Sequence, residues 1–163
     1  MKKTRKISRN KLFGWLALLE LLFIWGNSMI VAEISGNTSG KLTKIIYELI
    51  KILFEIEASF GTLHFFIRKL AHFTEYAVYG FLIKGYGKFN WILTLIIGLT
   101  TAGIDEMIQY FTPGRSCEIR DVMIDFSGFI FGIISYWILR AIWHELENTI
   151  IKKYKEKMSK GNI

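Results

Sequence analysis

Apolar and polar positions along the 163-residue chain sort into four long apolar runs divided by polar stretches. Residues 12–34, "LFGWLALLELLFIWGNSMIVAEI", are apolar over about the twenty residues that cross a bilayer core. Further runs cover 64–83, 91–111 and 121–143. The stretch 35–63 has a different pattern. Ile45, Ile46, Leu49, Ile52, Leu53 and Ile56 recur at helical spacing, while Lys44, Glu48, Lys51 and Glu55 share the other face. That is the pattern of an amphipathic helix lying in the interface. The expected fold is an all-α integral membrane protein, with four transmembrane helices and one interfacial helix between the first and second. Residues 1–11 then form a basic N-terminal segment, 12–143 the membrane domain and 144–163 a basic tail that begins as helix.

Composition supports this class: 52% of residues are hydrophobic, and 13 Phe and 5 Trp accompany a single Pro. The mean hydropathy is +0.32. A basic start before an apolar run is also how a signal peptide begins. Here the run is long, holds Glu20, Trp25 and Asn27, and ends in no small-x-small site, so a retained signal anchor is expected. The net charge is +7, from 21 basic and 14 acidic residues, with no aromatic-interleaved basic module. The excess reads as topology and contact with anionic lipid, and no nucleic-acid partner is expected. The N-terminal segment, the 84–90 loop and the chain from 140 onward carry fourteen of the 21 basic residues. Under the positive-inside rule both termini face the cytoplasm. The single Cys117 excludes an internal disulfide framework.

With this topology, ionisable side chains gather at one depth, toward the outer leaflet. They are Lys69, His72 and Glu75 with Tyr76, Asp105 and Glu106 with Gln109, then Asp121 and Asp125; Asn27 and Ser28 complete the layer. Lys69, His72, Tyr76 and Tyr79 share one helical face, and Asp105/Gln109 and Asp121/Asp125 are pairs four residues apart. Gly128 and Gly132 in "GFIFG" form a small-xxx-small pattern suited to close helix approach. "TPGR" at 112–115 ends the third run and turns Arg115 back toward the same layer. Arg68, Glu75 and Arg120 are expected to snorkel or form structural ion pairs at the interface. His64 and His144 flank spans and read as interfacial. His72, Asp105, Glu106 and Asp125 lie where an uncompensated charge is costly, so a functional or tightly paired role is expected for them. One well-placed His with no Cys pair is a weak ligand set, so neither a metal centre nor another cofactor is expected, with a hard, carboxylate-bound Mg²⁺ as the alternative left open.

At these residues the chain resembles the VanZ-like family of small bacterial membrane proteins. The resemblance is carried by "RKLAHFTEYAVYGFL", "DEMIQYFTPGR" and "RDVMIDFSGFIFG", in that order over 68–132, with "WGNS" at 25–28. It implies a multi-helix protein of the bacterial cytoplasmic membrane. It also implies a phenotype rather than a reaction, because a family member is associated with low-level teicoplanin resistance. The polar motif positions fall on Lys69, His72, Tyr76, Asp105, Glu106, Gln109, Arg115, Asp121 and Asp125. Members often carry Asn where this chain has Asp125, so a strict need for a carboxylate there is not implied.

Residues and resemblance together lead to one expectation: an envelope protein that binds or modifies an anionic lipid or wall-precursor head group, such as a polyprenyl phosphate. Binding residues are then Lys69, Tyr76, Gln109, Arg115, Asp121, Asp125, Asn27 and Ser28. If the protein is instead an enzyme acting on a lipid phosphate, His72, Asp105 and Glu106 are the candidates for proton transfer. A small proton-coupled transporter is the third alternative.

Overall fold

The computed structural model describes residues 2–54 and 59–160, arranged as five helices. They are α1 (Lys2–Ser28), α2 (Ala32–Phe54), α3 (Phe60–Tyr86), α4 (Trp91–Phe111) and α5 (Ile119–Lys160). Glu55, Ile56 and the side chain of Leu53, part of the expected amphipathic pattern, lie outside the described residues. Local chemistry sets several boundaries. α3 ends at Gly87, whose left-handed φ of 68° few other residues adopt without cost. The Asn90 side chain accepts the Leu93 N–H at 2.8 Å and so caps α4. Pro113 and Gly114, the latter at φ 77°, turn the chain between α4 and α5.

α3 is the central helix, packing most extensively on α5 and also on α1 and α2. The α3–α5 crossing depends on small residues. Gly128 and Gly132 of α5 lie against the backbone at Phe73 and Ala77, and Gly80 of α3 lies against the backbone at Phe129. None of the three has room for a Cβ, so the glycine spacing read in the sequence does bring two backbones together. The buried core then collects Ala17, Ile24, Tyr76, Tyr79, Ala102, Phe129 and Ile133. The Phe129 ring lies 5.5 Å from that of Tyr79 and fills the space over Gly98, joining α3, α4 and α5.

Large apolar side chains cover the outside of the bundle, among them Leu19, Leu22, Ile92, Ile96 and Phe131. A lipid environment accepts such a surface without penalty. Lys84 lies 5.0 Å from the Trp137 ring and 5.5 Å from Trp91, and Arg140 lies 5.5 Å from Trp137. This cluster has the make-up of an interfacial aromatic girdle.

By length and composition, two helices can cross a membrane alone: Trp91–Phe111 and Ile119–Tyr154. Asn10–Ser28 and Ala32–Ile52 reach that standard together, as a pair bent by 104°. Two to three spans are therefore supported where the sequence predicts four. α3 falls short because Arg68, Lys69 and Glu75 interrupt its apolar run. The first run also differs from the single signal-anchor helix expected over 12–34, since α1 stops at Ser28 and α2 departs from Ala32. α2 packs on α3 through small polar groups: Thr43 is buried, and Ser39 Oγ lies 2.7 Å from His64 Nε2. Its apolar residues Ile45, Leu49 and Ile52 face outward. α5 continues past residue 143 without a break, so the start of the tail is an extension of the fourth run.

Candidate functional site

The polar residues of α1, α3, α4 and α5 meet in one layer beneath the 112–118 connection. From α1 come Asn27 and fully buried Ser28, which lies beside Asp105. Asn27 Nδ2 donates to Glu75 Oε1 of α3 at 3.0 Å. α3 also contributes half-buried Lys69 and His72 and fully buried Tyr76. α4 contributes Asp105, Glu106 and Gln109, all buried; Gln109 Nε2 donates to Asp105 Oδ2 at 2.9 Å. α5 contributes Asp121, ion-paired with Lys69, and Asp125, only 1% exposed.

Every expected site residue therefore lies in or beside the layer, but three have partners that redefine their parts. Lys69, expected to grip a phosphate, is neutralised by Asp121. Arg115 spends donors on the backbone: Nε reaches Ile30 O at 3.1 Å, and Nη2 reaches Asn27 O at 3.1 Å. Asn27 O belongs to the last turn of α1 and Ile30 O to the bend that follows it, where the helix no longer supplies acceptors with partners. Thr112 Oγ1 reaches Ser28 O at 2.9 Å and the Ala32 N–H reaches Pro113 O at 3.3 Å, so the 112–115 turn holds the bend between α1 and α2. Burial, then the charge of Arg68, lowers the Arg115 pKa, and the carboxylates of Asp105, Glu106 and Glu75 oppose the shift. Arginine still remains charged. Glu106 Oε2 accepts the Glu118 N–H at 2.9 Å, just before α5 begins. Half of that carboxylate is thus engaged in joining α4 to the start of α5.

Two residues expected at the interface belong to the site instead. Glu75 is held by Asn27, and Arg68 lines the cleft without an ion pair among the described residues. Arg68, His72 and Glu75 stand at i, i+4 and i+7, a second stripe that the helical period already contained. Arg120 does behave as expected, in an exposed pair with Glu118 at 2.6 Å that draws the Glu118 pKa downward. Half-buried His64 bonds to Ser39, and exposed His144 bonds to Asn148.

Two clefts open onto the layer. One, of about 300 Å³, runs between the α1–α2 bend and α3; Arg68, His72, Glu75 and Arg115 supply its ionisable groups, and Ile30, Ile34, Leu42 and Ile67 line it together with Asn27, Ser35 and Ser39. The other, of about 260 Å³, lies under the turn between His64, Arg68, Lys69, Arg115 and Asp121. Within the layer, His72, Asp105 and Asp125 each offer a ligand atom within 4.8 Å of the others. The sequence reading found no metal set because the three residues lie on three different helices, where no spacing rule connects them.

An all-helical, multi-pass membrane protein with a buried polar layer is the class that fold and site define. A family model for VanZ/LLP1 matches residues 13–140, and the chain belongs to that family. Neither curated proteins nor solved structures give a match.

Proposed function

We propose that the protein holds the anionic head group of a membrane lipid, or of a lipid-linked wall precursor, at the outer leaflet. The observation that carries this reading is the cleft between the α1–α2 bend and α3. Its two guanidiniums, Arg68 and Arg115, and the apolar Ile30, Ile34, Leu42 and Ile67, set beside Ser35 and Ser39, suit a molecule with a phosphate and a hydrocarbon chain. Arg68 is the principal contact, since its guanidinium is unpaired among the described residues and can grip two phosphate oxygens at once. Arg115 adds Nη1, a buried donor with no hydrogen-bond partner among the described residues.

The depth and side follow from four crossings with both termini inside, α3 included as a span whose charges are shielded by the surrounding helices. Fourteen of the 21 basic residues then lie on the cytoplasmic side. Holding a wall precursor in this way would change how it is displayed to a glycopeptide such as teicoplanin. A second reading, chemistry on the bound phosphate, is favoured by His72, which lines the same cleft and can relay a proton.

Native mass spectrometry of the detergent-purified protein tests binding. Anionic lipid should co-purify with the wild type, and Arg68→Gln should retain at least several-fold less. Equal retention would refute the head-group contact. His72→Gln separates the readings: a binder keeps both lipid and phenotype, whereas an enzyme keeps lipid and loses the phenotype.

A further inference from the structure

We infer that His72, Asp105 and Asp125 form a binding site for one divalent cation that accepts mixed nitrogen and oxygen ligands, of the Mn²⁺ or Zn²⁺ kind. The proposal does not need the head-group reading: of the three residues only His72 lines the cleft, and Asp105 and Asp125 can hold an ion with it whether or not a lipid is bound.

Geometry is the first support. One ligand atom from each residue lies within 4.8 Å of the other two. Ligands at about 2.1 Å from a common ion are roughly 3–4 Å apart, so small side-chain rotations bring all three onto it. The second support is the state of the atoms concerned. Asp105 is 0% exposed and Asp125 1% exposed. Asp105 Oδ1, Asp125 Oδ2 and His72 Nδ1 are nevertheless buried with no hydrogen-bond partner among the described residues, as is the neighbouring Tyr76 hydroxyl. Buried polar atoms left unmatched are costly, and a cation held among these residues would give the carboxylate oxygens a partner. A void of about 10 Å³ lies alongside, lined by His72 and Asp125 of the set together with Lys69, Glu106, Asp121 and Ile124, and not by Asp105.

Charge balance is the third. The layer brings together five carboxylates, Glu75, Asp105, Glu106, Asp121 and Asp125, against three cations, Arg68, Lys69 and Arg115. Lys69 is occupied by Asp121, and Arg115 by backbone carbonyls. With all five carboxylates ionised the layer would carry two more negative than positive charges, and one divalent ion would balance them. Gln109 fixes the Asp105 carboxylate through Oδ2, and such a bond orients a ligand toward a metal. A set with one imidazole, two carboxylates and no thiolate suits Mn²⁺ or Zn²⁺ better than Ca²⁺, which prefers a larger shell made only of oxygen.

The test uses the purified, chelator-stripped protein in detergent and Mn²⁺ alone. Loss of the free-ion EPR signal should show one site per chain, with at least ten-fold weaker binding in Asp105→Asn and in Asp125→Asn. Glu118→Gln, at the exposed ion pair, should bind as the wild type does. Zn²⁺ should displace the bound Mn²⁺, and an equal concentration of Ca²⁺ should not. A second measurement needs no substitution within the layer. In protein labelled at its three histidines, sub-stoichiometric Mn²⁺ should broaden the His72 resonances first, with His64→Gln and His144→Gln supplying the assignment. Wild-type protein that takes up no Mn²⁺, carboxamide variants that bind it as tightly, or broadening spread evenly over all three histidines would each overturn the site.

Discussion

Substituting Gly132 with Ala puts the α3–α5 crossing to a direct test. The added Cβ would lie 2.8 Å from both the Ala77 carbonyl carbon and the Phe81 nitrogen, and closer still to the Ala77 oxygen. These are backbone atoms in a helix, so no rotamer change relieves the overlap, and the two helices must separate. Replacing Gly by Ala within a helix gains about 1 kcal/mol of intrinsic propensity, while overpacking a fitted interface costs about 1–3 kcal/mol. The balance predicts a net loss of up to about 2 kcal/mol. Gly103→Ala in α4 is the matched control, because its Cβ meets nothing within 4 Å. There the propensity gain stands alone, and the protein should be unchanged or up to about 1 kcal/mol more stable. Both variants can be followed by tryptophan fluorescence during SDS-induced unfolding from dodecylmaltoside. Equal stability for the two alanine variants would refute the close crossing, and with it the placement of His72 beside Asp125.

Other outcomes follow from the same contacts. Arg115→Ala removes two charged hydrogen bonds to the end of α1 and should cost about 2–4 kcal/mol in that unfolding assay, with Arg115→Lys losing less; an unaffected Ala variant would contradict the role assigned to the bend. Glu106→Gln keeps an acceptor for the Glu118 N–H and should stay within about 1 kcal/mol of the wild type, whereas Glu106→Leu should lose about 1–3 kcal/mol. A double-mutant cycle with Lys69→Met and Asp121→Asn should give a coupling of about 0.5–3 kcal/mol, and additivity would deny the pairing. Cys117, the only cysteine and exposed between α4 and α5, should react with a membrane-impermeant maleimide in intact cells; labelling only after lysis would invert the proposed topology. Partial desolvation, then the Glu106 and Asp121 carboxylates, raises the Cys117 thiol pKa, so less thiolate is present near neutrality and alkylation should quicken only at a pH above that of free cysteine.

What the sequence determined by itself is what the helical period and the length of apolar runs can encode. Membrane helices at 91–111 and from 121 onward follow from the number of apolar residues needed to cross a bilayer. The shared face of Lys69, His72 and Tyr76, the Asp105/Gln109 pair and the closeness at Gly128 and Gly132 follow from spacing along one helix, because covalent geometry fixes which side chains look the same way. Partners on different helices obey no such rule, and tertiary structure decided them. The bend after Ser28 has no proline to announce it; it is held by Thr112 and Arg115, 84 and 85 residues away from their acceptors Ser28 and Ile30. The same holds for Lys69, which pairs with Asp121, while Arg68 has no ion pair among the described residues. Asp105 and Asp125 are also twenty residues apart in the chain, and only antiparallel packing of α4 and α5 against α3 brings both carboxylates to His72. In the low dielectric of that packed layer, proximity changes the chemistry of each group, and proximity between helices is a property of the fold.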